Sequence, residues 1–333
     1  MPSASSRVDN RRTQKTSHVS GNASVKLGDE MTRFGLILIA GLALLSLPVA
    51  TGSAAAVSPA SSYTCSGGNI PPGTYASVNV TGVCFFPSGS LVVEGDVTVE
   101  ANSLLDAASP APSQPLPGIV TVDGNTVVEQ GGVLLLGCNA AFVCPSATTA
   151  GLDLVKGSVR ANGALGVIVH AITVEGSVSL VGGGGGTQGP PSSGICDSTP
   201  IPSLWAADPT LDSLFGLGQP TPVYSDFEDN TIDHSLYIDK LHTCWFGALR
   251  NKVAGNMTNV NGRFGDPDAD EVDANVVSGN FACSGNKPAV QFGDSGAAPN
   301  SVAGHASGQC GFKVVLYDES YEGGTYQHIS VKS

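Results

Sequence analysis

The chain has 333 residues, of which 43 are glycine and 21 are proline, and only 13% of its residues are charged. Globular proteins carry about 25% charged residues and about 7% glycine, whereas the 41% hydrophobic content of this chain excludes polarity-driven disorder for most of its length. Its net charge is −13, and residues 57–333 carry −16, because the first 56 residues hold six basic and three acidic residues. Such a surface repels nucleic acid and anionic lipid, which excludes both as partners.

An apolar segment, Phe34–Val49, follows a basic residue and precedes a run of small residues that ends at Ala56. This order is typical of a secretory signal peptide, and a membrane-spanning helix needs about 20 apolar residues. We therefore predict that residues 1–56 are a leader plus signal peptide, with translation starting at Met31. The protein is then secreted and extracellular, with no membrane contact after cleavage. The alternative is a membrane anchor formed by an uncleaved segment 34–49.

All eight cysteines follow the predicted cleavage site, and an even number in the exported part indicates disulfides formed in an oxidising compartment. Their spacing includes no CxxC pair, which argues against a zinc site. Three predicted pairs lie close together in sequence, and the fourth follows by elimination. The predicted disulfides are Cys65–Cys84, Cys138–Cys144, Cys283–Cys310 and Cys196–Cys244.

Four segments share one pattern: a short β-branched strand, a charged residue, a glycine, a small polar residue and a second strand. They are Leu91–Val99, Val120–Val128, Asp153–Ala161 and Ile172–Leu180. Their glycines stand at positions 95, 124, 157 and 176, so that a 19-residue coil with insertions at 109–118 and 138–151 accounts for the spacing. We predict that Gly95, Gly124, Gly157 and Gly176 align on one edge of a β-solenoid. The charged residues Glu94, Asp123, Lys156 and Glu175 then stack beside them, with Lys156 between two acids. The alternative fold is a β-sandwich.

A second series has the frame N-x-V-x-G and comprises Asn251–Asn256, Asn275–Asn280 and Asn300–His305. Asparagine suits turns, and in stacked coils its side-chain amides form ladders. We therefore predict solenoid turns over 63–181 and 236–310 and a C-terminal tail at 311–333. The Gly/Pro-rich residues 182–235 form an excursion between the two sets of turns. It contains a short helix at 209–215, and it is either a cover for the coil or a binding loop.

The run VSGNFACSGNKPAV at 277–290 and the run PNSVAGHASGQC at 299–310 resemble the closing segment of secreted bacterial right-handed parallel β-helix proteins. The opening NIPPGTY at 69–75 is similar to the same family. The resemblance implies an all-β, pectin-lyase-like β-solenoid with disulfides. That family has no established activity, so the resemblance brings no catalytic residues.

Two classes of function remain, and the favoured one is an extracellular structural or interaction protein. The sequence does not identify its ligand, and a cell-wall or other extracellular polysaccharide is the candidate partner. The alternative is a carbohydrate-active enzyme, a polysaccharide lyase or hydrolase, which needs carboxylates converging on one strand face. Four or more carboxylates or basic groups in one groove would favour the enzyme. Trp205, Trp245 and Phe246 are predicted to fill a coil end or junction, with sugar binding as the alternative.

An acidic loop is the one candidate for a cofactor. Asp266, Asp268 and Asp270 alternate and Asp273 follows, and such a run of carboxylates can wrap calcium, which takes six to eight oxygen ligands. It lacks the glycine and the final glutamate of an EF-hand. The alternative is a solvated acidic loop without a metal.

Overall fold

Short strands of alternating apolar residues wind into three parallel sheets, as the repeats predict. The computed structural model describes residues 60–111, 117–138, 153–186, 196, 202–211, 222–266, 269–292, 299–317 and 328–332. The strands of these sheets follow one another along the chain in the order sheet 1, sheet 2, sheet 3 as far as Val276–Val277, and each pairs in parallel with strands of the neighbouring coils. The predicted all-β parallel β-helix is thereby confirmed.

Sheet 1 has the most strands among the described residues. Its ten strands are Tyr63–Cys65, Val78–Val80, Val97–Val99, Thr126–Val128, Val159–Asn162, Val178–Val181, Leu236–Asp239, Met257–Val260, Phe281–Ser284 and Ala306–Gly308. The eight described strands of sheet 2 are Gly68–Asn69, Val83–Phe85, Leu104–Ala107, Val133–Gly137, Gly166–His170, Tyr224–Glu228, Trp245–Leu249 and Asp270–Asp273. The nine described strands of sheet 3 are Gly73–Tyr75, Ser90–Val93, Ile119–Val122, Leu154–Val155, Thr173–Val174, Thr231–Ile232, Lys252–Val253, Val276–Val277 and Ser301–Val302.

The other described elements are small. They are a parallel pair of His242–Thr243 with Arg263–Phe264, an antiparallel hairpin of Phe312–Tyr317 with His328–Lys332, and the 3-10 turns Trp205–Ala207 and Gln309–Gly311. The hairpin lies in the region predicted as a tail. Among the described residues, no helix has the length and apolar character that crossing a membrane requires.

The interior of the solenoid is one apolar core. Alternate side chains of a strand point to opposite faces, so Val78 and Val80 are buried while Asn79 between them is partly exposed. Stacking the coils joins these inward residues into a continuous cluster from Cys65 to Cys310. A strand too short to be stable alone is thus stabilised by burial between its neighbours.

The predicted alignment of the glycines is confirmed. The backbone N–H of Gly124 donates to the carbonyl of Gly95, that of Gly157 to Gly124, and that of Gly176 to Gly157. The strand register aligns Gly176 with His234, and from there the same hydrogen bonds continue to the glycines of the N-x-V-x-G frames, Gly255, Gly279 and Gly304. The two motif series are therefore one register of a single solenoid.

The predicted asparagine ladder is also present. Asn230, Asn251, Asn275 and Asn300 stack at the start of successive sheet 3 strands. The side-chain oxygen of each later asparagine accepts from the backbone N–H and the Nδ2 of the one before, at 2.9–3.2 Å. Asn230 was not predicted, because its coil reads N-T-I-D-H and lacks the valine and glycine of the frame.

A second polar ladder follows the glycines on the surface. Its members are Asp96, Asn125, Ser158, Ser177, Ser235, Asn256, Asn280 and His305, and the side-chain oxygen of each accepts from the backbone N–H of the next. The steps along the sequence are 29, 33, 19, 58, 21, 24 and 25 residues. The ladder therefore keeps one register although the coils differ threefold in length.

Three of the predicted disulfides are present: Cys65–Cys84, Cys196–Cys244 and Cys283–Cys310. Cys65 ends a sheet 1 strand, whereas Cys84 lies in sheet 2 of the next coil. The bond consequently links two walls of the solenoid. In the pair Cys138–Cys144, Cys144 lies outside the described residues.

The excursion is shorter than predicted. Tyr224–Glu228 and Thr231–Ile232 are strands that pair with Gly166–His170 and Thr173–Val174, so the coil resumes before residue 235. Acidic residues in this stretch conceal its strand pattern. Of the predicted helix 209–215, residues 212–215 lie outside the described residues, as do segment 34–49, Met31 and the predicted cleavage site.

A candidate site on the outer face of sheet 2

Sheet 2 brings ionisable side chains from four successive coils to one outer face. Its register places His170 opposite Glu228, Asp226 opposite Gly247, and Gly247 opposite Glu271. The residues between them, such as Phe227, belong to the core, so these polar side chains share the other face. We call His170, Asp226, Glu228, Asp229, Arg250 and Glu271 the sheet 2 cluster.

Arg250 donates hydrogen bonds to two carboxylates, Glu228 and Asp229, and Asp229 is also in contact with His170. Its Nε and NH2 donate to Asp229 at 2.8 Å, and NH2 also donates to Glu228 at 2.6 Å. His170 Nε2 lies 3.0 Å from Asp229 Oδ2 and 4.0 Å from Glu228 Oε2. The turn after each sheet 2 strand makes this possible, because Asp229 and Arg250 both adopt a positive φ there, at 55° and 56°.

These contacts set the charge of Asp229. Burial opposes ionisation, but the hydrogen bonds from His170 and Arg250 outweigh it and lower the pKa of Asp229 to about 2. The hydrogen bond with Asp229 in turn raises the pKa of Arg250. Asp229 is therefore a carboxylate at any ordinary pH.

Asp226 has the opposite character. It is 6% exposed, and its Oδ1 has no hydrogen-bond partner in the described part of the chain. Burial and the adjacent Glu228 raise the pKa of Asp226 well above its ordinary value. The neutral form of Asp226 is therefore favoured. A neutral acid thus lies within one cluster with the ionised Asp229.

An aromatic side chain borders the cluster. Trp245 is partly exposed, and its Nε1 donates to Glu271 Oε1 at 3.0 Å. Gly247 leaves space for this ring, because a Cβ there would collide with the Trp245 ring and lie 2.6 Å from Asp226 Oδ1. Trp245 also meets Tyr224 edge to face at 6.1 Å.

The excursion covers the neighbouring part of the same face. Trp205 is fully buried over Gly166, where a Cβ would collide with its ring, and it meets Tyr224 edge to face at 5.5 Å. Leu211, Val133 and Leu135 complete this second apolar cluster. Trp205 therefore has the predicted filling role, and Phe246 lies in the main core, whereas Trp245 stands at the cluster.

The predicted acidic residues do not all come together. Glu94, Asp123, Lys156 and Glu175 stack along the turn as expected, with Lys156 Nζ 2.7 Å from Asp123. In the candidate calcium loop, Asp268 lies outside the described residues. Asp270 points into the core, where Asn259 donates to it, while Asp273, three positions along the same strand, belongs to the other face. Asp270 and Asp273 therefore lie on opposite faces of the sheet.

The candidate metal ligands among the described residues belong to the sheet 2 cluster. Ligand atoms of His170, Glu228 and Asp229 lie within 4.8 Å of one another, the one such group found among the described residues. The guanidinium of Arg250 already donates to both carboxylates. The positive charge that a metal would supply is therefore already in place.

No protein-family model, curated protein or solved structure matches this chain. The comparisons consequently identify no family, and the pectin-lyase-like resemblance stays a prediction from the sequence.

Sequence reasoning did not find the sheet 2 cluster. Its residues span positions 170 to 271, and one coil within this span is 58 residues long. The regular spacing of the other coils therefore does not reveal which of these residues align. The only local signal was the run D-F-E-D at 226–229 beside an asparagine. Once Asn230 is aligned with Asn251, that run falls on sheet 2 opposite Trp245–Leu249.

Proposed function

We propose that this chain is a secreted, extracellular structural or interaction protein that presents the flat faces of a rigid solenoid. The observation that carries the proposal is the pair of side-chain ladders, which keeps one register through coils of very different length. Ladders of this kind fix the spacing of surface side chains at about 4.8 Å per coil. A regular array at that spacing suits a repetitive ligand.

The partner proposed is a cell-wall or other extracellular polysaccharide. The low charge content and net negative charge disfavour binding to polyanions. Disulfides support an oxidising compartment, in agreement with the signal peptide predicted at 34–49. The exported protein would then meet polysaccharide outside the cell.

One variant on each sheet tests this proposal. Tyr237 on sheet 1 and Val276 on sheet 3 are exposed large side chains, and Trp245 is partly exposed on sheet 2. We expect the wild-type protein to sediment with an insoluble cell-wall or polysaccharide preparation. One of Tyr237→Ala, Val276→Ala and Trp245→Ala should weaken this at least tenfold, and the other two serve as its matched controls. Absence of wild-type binding to every polymer in a broad panel would refute the proposal.

The second candidate is a carbohydrate-active enzyme, and the sheet 2 cluster favours it. Two carboxyl groups whose environments push their pKa values apart are the usual basis of acid and base roles. Asp226 would donate a proton and Asp229 or Glu228 would act as the base, beside the ring of Trp245. Polymer cleavage by the wild type, lost at least a hundredfold in Asp226→Asn and retained in Asp233→Asn on the exposed turn, would establish this function. If the wild type and Asp233→Asn release neither reducing ends nor unsaturated products from any polymer, the enzyme hypothesis is refuted.

A further inference from the structure

A pair of buried carboxylates joins the excursion to the solenoid. Asp106 belongs to the sheet 2 strand Leu104–Ala107 and is 1% exposed, while Asp208 follows the 3-10 turn of the excursion and is 0% exposed. Between them, Ser109 Oγ donates to Thr210 Oγ1 at 3.0 Å. The two acids thus stand on opposite sides of one polar junction.

Each carboxylate has local donors but no countercharge. Asp106 Oδ1 accepts from the backbone N–H groups of Ala108 and Ser109 at 2.9 and 3.0 Å. Asp208 Oδ1 accepts from the backbone N–H and Oγ1 of Thr210 at 2.8 and 2.7 Å. Asp208 Oδ2 is buried without a partner among the described residues. Neither acid forms an ion pair with the described lysines, arginines and histidines.

In the described part of the chain, the surroundings of Asp106 add no positive charge. On either side of Asp106 the neighbouring strands place Phe85 and Leu135 opposite it, and neither residue titrates. The buried Tyr224 also interacts with both acids, and burial, Asp226, Asp208, Glu228 and Asp106 all raise its pKa. Two ionised carboxylates at such a junction would repel each other in a low-dielectric environment.

We propose that residues 202–211 form a strap whose docking on sheet 2 depends on a proton held by Asp106 beside the buried Asp208. The strap stays docked at acidic pH and loosens as the pH rises. Its release uncovers the apolar outer surface formed by Val133, Leu135 and Ile168. Cys196, bonded to Cys244 of the solenoid, keeps the loosened strap tethered.

The direction of this pH dependence follows from the pKa of Asp106 in the docked and in the released state of the strap. In the docked state burial and the charge of Asp208 raise its pKa from 3.8 to about 7. In the released state the carboxyl is hydrated and ionises at its ordinary pKa. Docking is therefore strongest below about pH 4, weakens by up to about tenfold per pH unit up to about pH 7, and is constant above that.

Hydrogen exchange of the full, disulfide-intact chain tests the strap. After correction for intrinsic exchange rates, protection in peptides covering 202–211 should fall several-fold per pH unit between pH 5 and pH 7. Protection in the strand Val133–Gly137 should stay constant, because the solenoid itself remains folded. In the double variant Asp106→Asn/Asp208→Asn, protection at 202–211 should not depend on pH. Glu94→Gln, an exposed acid on the turn, should retain the wild-type dependence.

Three results would overturn the proposal. The first is protection at 202–211 that stays constant with pH in the wild type. The second is an unchanged slope in the double variant or, if that variant does not fold, in Asp106→Asn alone. The third is a parallel loss of protection in Val133–Gly137, which would mean that the whole solenoid opens rather than the strap.

Discussion

At the scale of single residues, Asp270 is an ionisable group placed inside the apolar coil. It is fully buried, Asn259 Nδ2 donates to its Oδ1 at 2.7 Å, and its Oδ2 has no partner among the described residues. Burial raises the pKa of Asp270 to about 8, although the hydrogen bond from Asn259 acts in the opposite direction. The side chain is thus a neutral acid at pH 7.

Replacement of this acid by its neutral isostere should stabilise the protein in alkali. The unfolded chain ionises Asp270 near pH 4 and the folded chain near pH 8, so the folded state loses stability over this window as the pH rises. Asp270→Asn keeps an acceptor for Asn259 and removes this loss, which is on the order of a few kcal/mol. We expect its melting temperature to exceed that of the wild type at pH 9 and to match it within a few degrees at pH 5.

Asp233→Asn provides the matched control for the thermal melts. Asp233 is exposed on the glycine turn, so its substitution should shift the melting temperature little at either pH. An equal shift of Asp270→Asn at pH 5 and pH 9 would contradict an ionisation buried in the core.

At the scale of the coil, the two ladders differ in burial. Asn275 is fully buried, and its amide accepts from Asn251 and donates to the carbonyl of Ala248 and to Asn300. Asn280, on the following turn, has an exposed ladder contact with the backbone N–H of His305. A lost hydrogen bond costs more in the interior, because water cannot replace the missing partner.

Truncation of the two asparagines should therefore have unequal effects. Asn275→Ala leaves several buried groups unpaired and should lower the free energy of unfolding by about 2–4 kcal/mol. Asn280→Ala should lower it by less than about 1 kcal/mol, since water can bond the exposed amide. Urea denaturation of both variants measures the difference, and equal losses would refute the distinction between the ladders.

The glycine line has a steric basis. A Cβ on Gly157 would collide with the carbonyl oxygen of Gly124 in the preceding coil. Gly157→Ala should therefore push adjacent coils apart and destabilise the protein by about 1–3 kcal/mol. Ser158→Ala, next in sequence, removes only a ladder acceptor and should cost less. A Gly157→Ala protein as stable as the wild type by thermal melting would disprove this close approach.

Regular coils could be predicted from the sequence because their signals repeat locally. The glycines at 95, 124, 157 and 176 mark a turn whose steric requirement is the same in each coil. The coil that contains Tyr224–Leu236 could not be predicted in this way, because His234 replaces the glycine and acidic residues interrupt the alternation of apolar residues. The sheet 2 cluster and the junction of Asp106 with Asp208 depend on that coil or on the excursion. No local sequence pattern therefore predicts them.

At the scale of the whole molecule, the disulfides join parts that stacking alone does not. Cys196–Cys244 closes a segment of 48 residues and ties the excursion to the solenoid, whereas Cys65–Cys84 closes only 19 residues near the first coil. A cross-link restricts the unfolded chain more when the closed segment is longer.

Removal of the longer link should have the larger effect. Cys196→Ala/Cys244→Ala should lower the free energy of unfolding by about 2–4 kcal/mol, and by about 1 kcal/mol more than Cys65→Ala/Cys84→Ala. Guanidinium denaturation under non-reducing conditions compares the two. A greater loss from the Cys65–Cys84 pair would show that strain or packing, rather than chain entropy, dominates.

The turn from sheet 3 to sheet 1 has one length in all coils from Val93 and Val97 onward, whereas the other two corners vary. Val159 aligns with Val178, so deletion of residues 159–177 would join Ser158 to Val178 and restore the same Gly-Ser-Val turn. Duplication of that stretch would add a coil in the same way. The gene can therefore change the length of the solenoid in single recombination events, each of which preserves the frame on which the neighbouring coils stack.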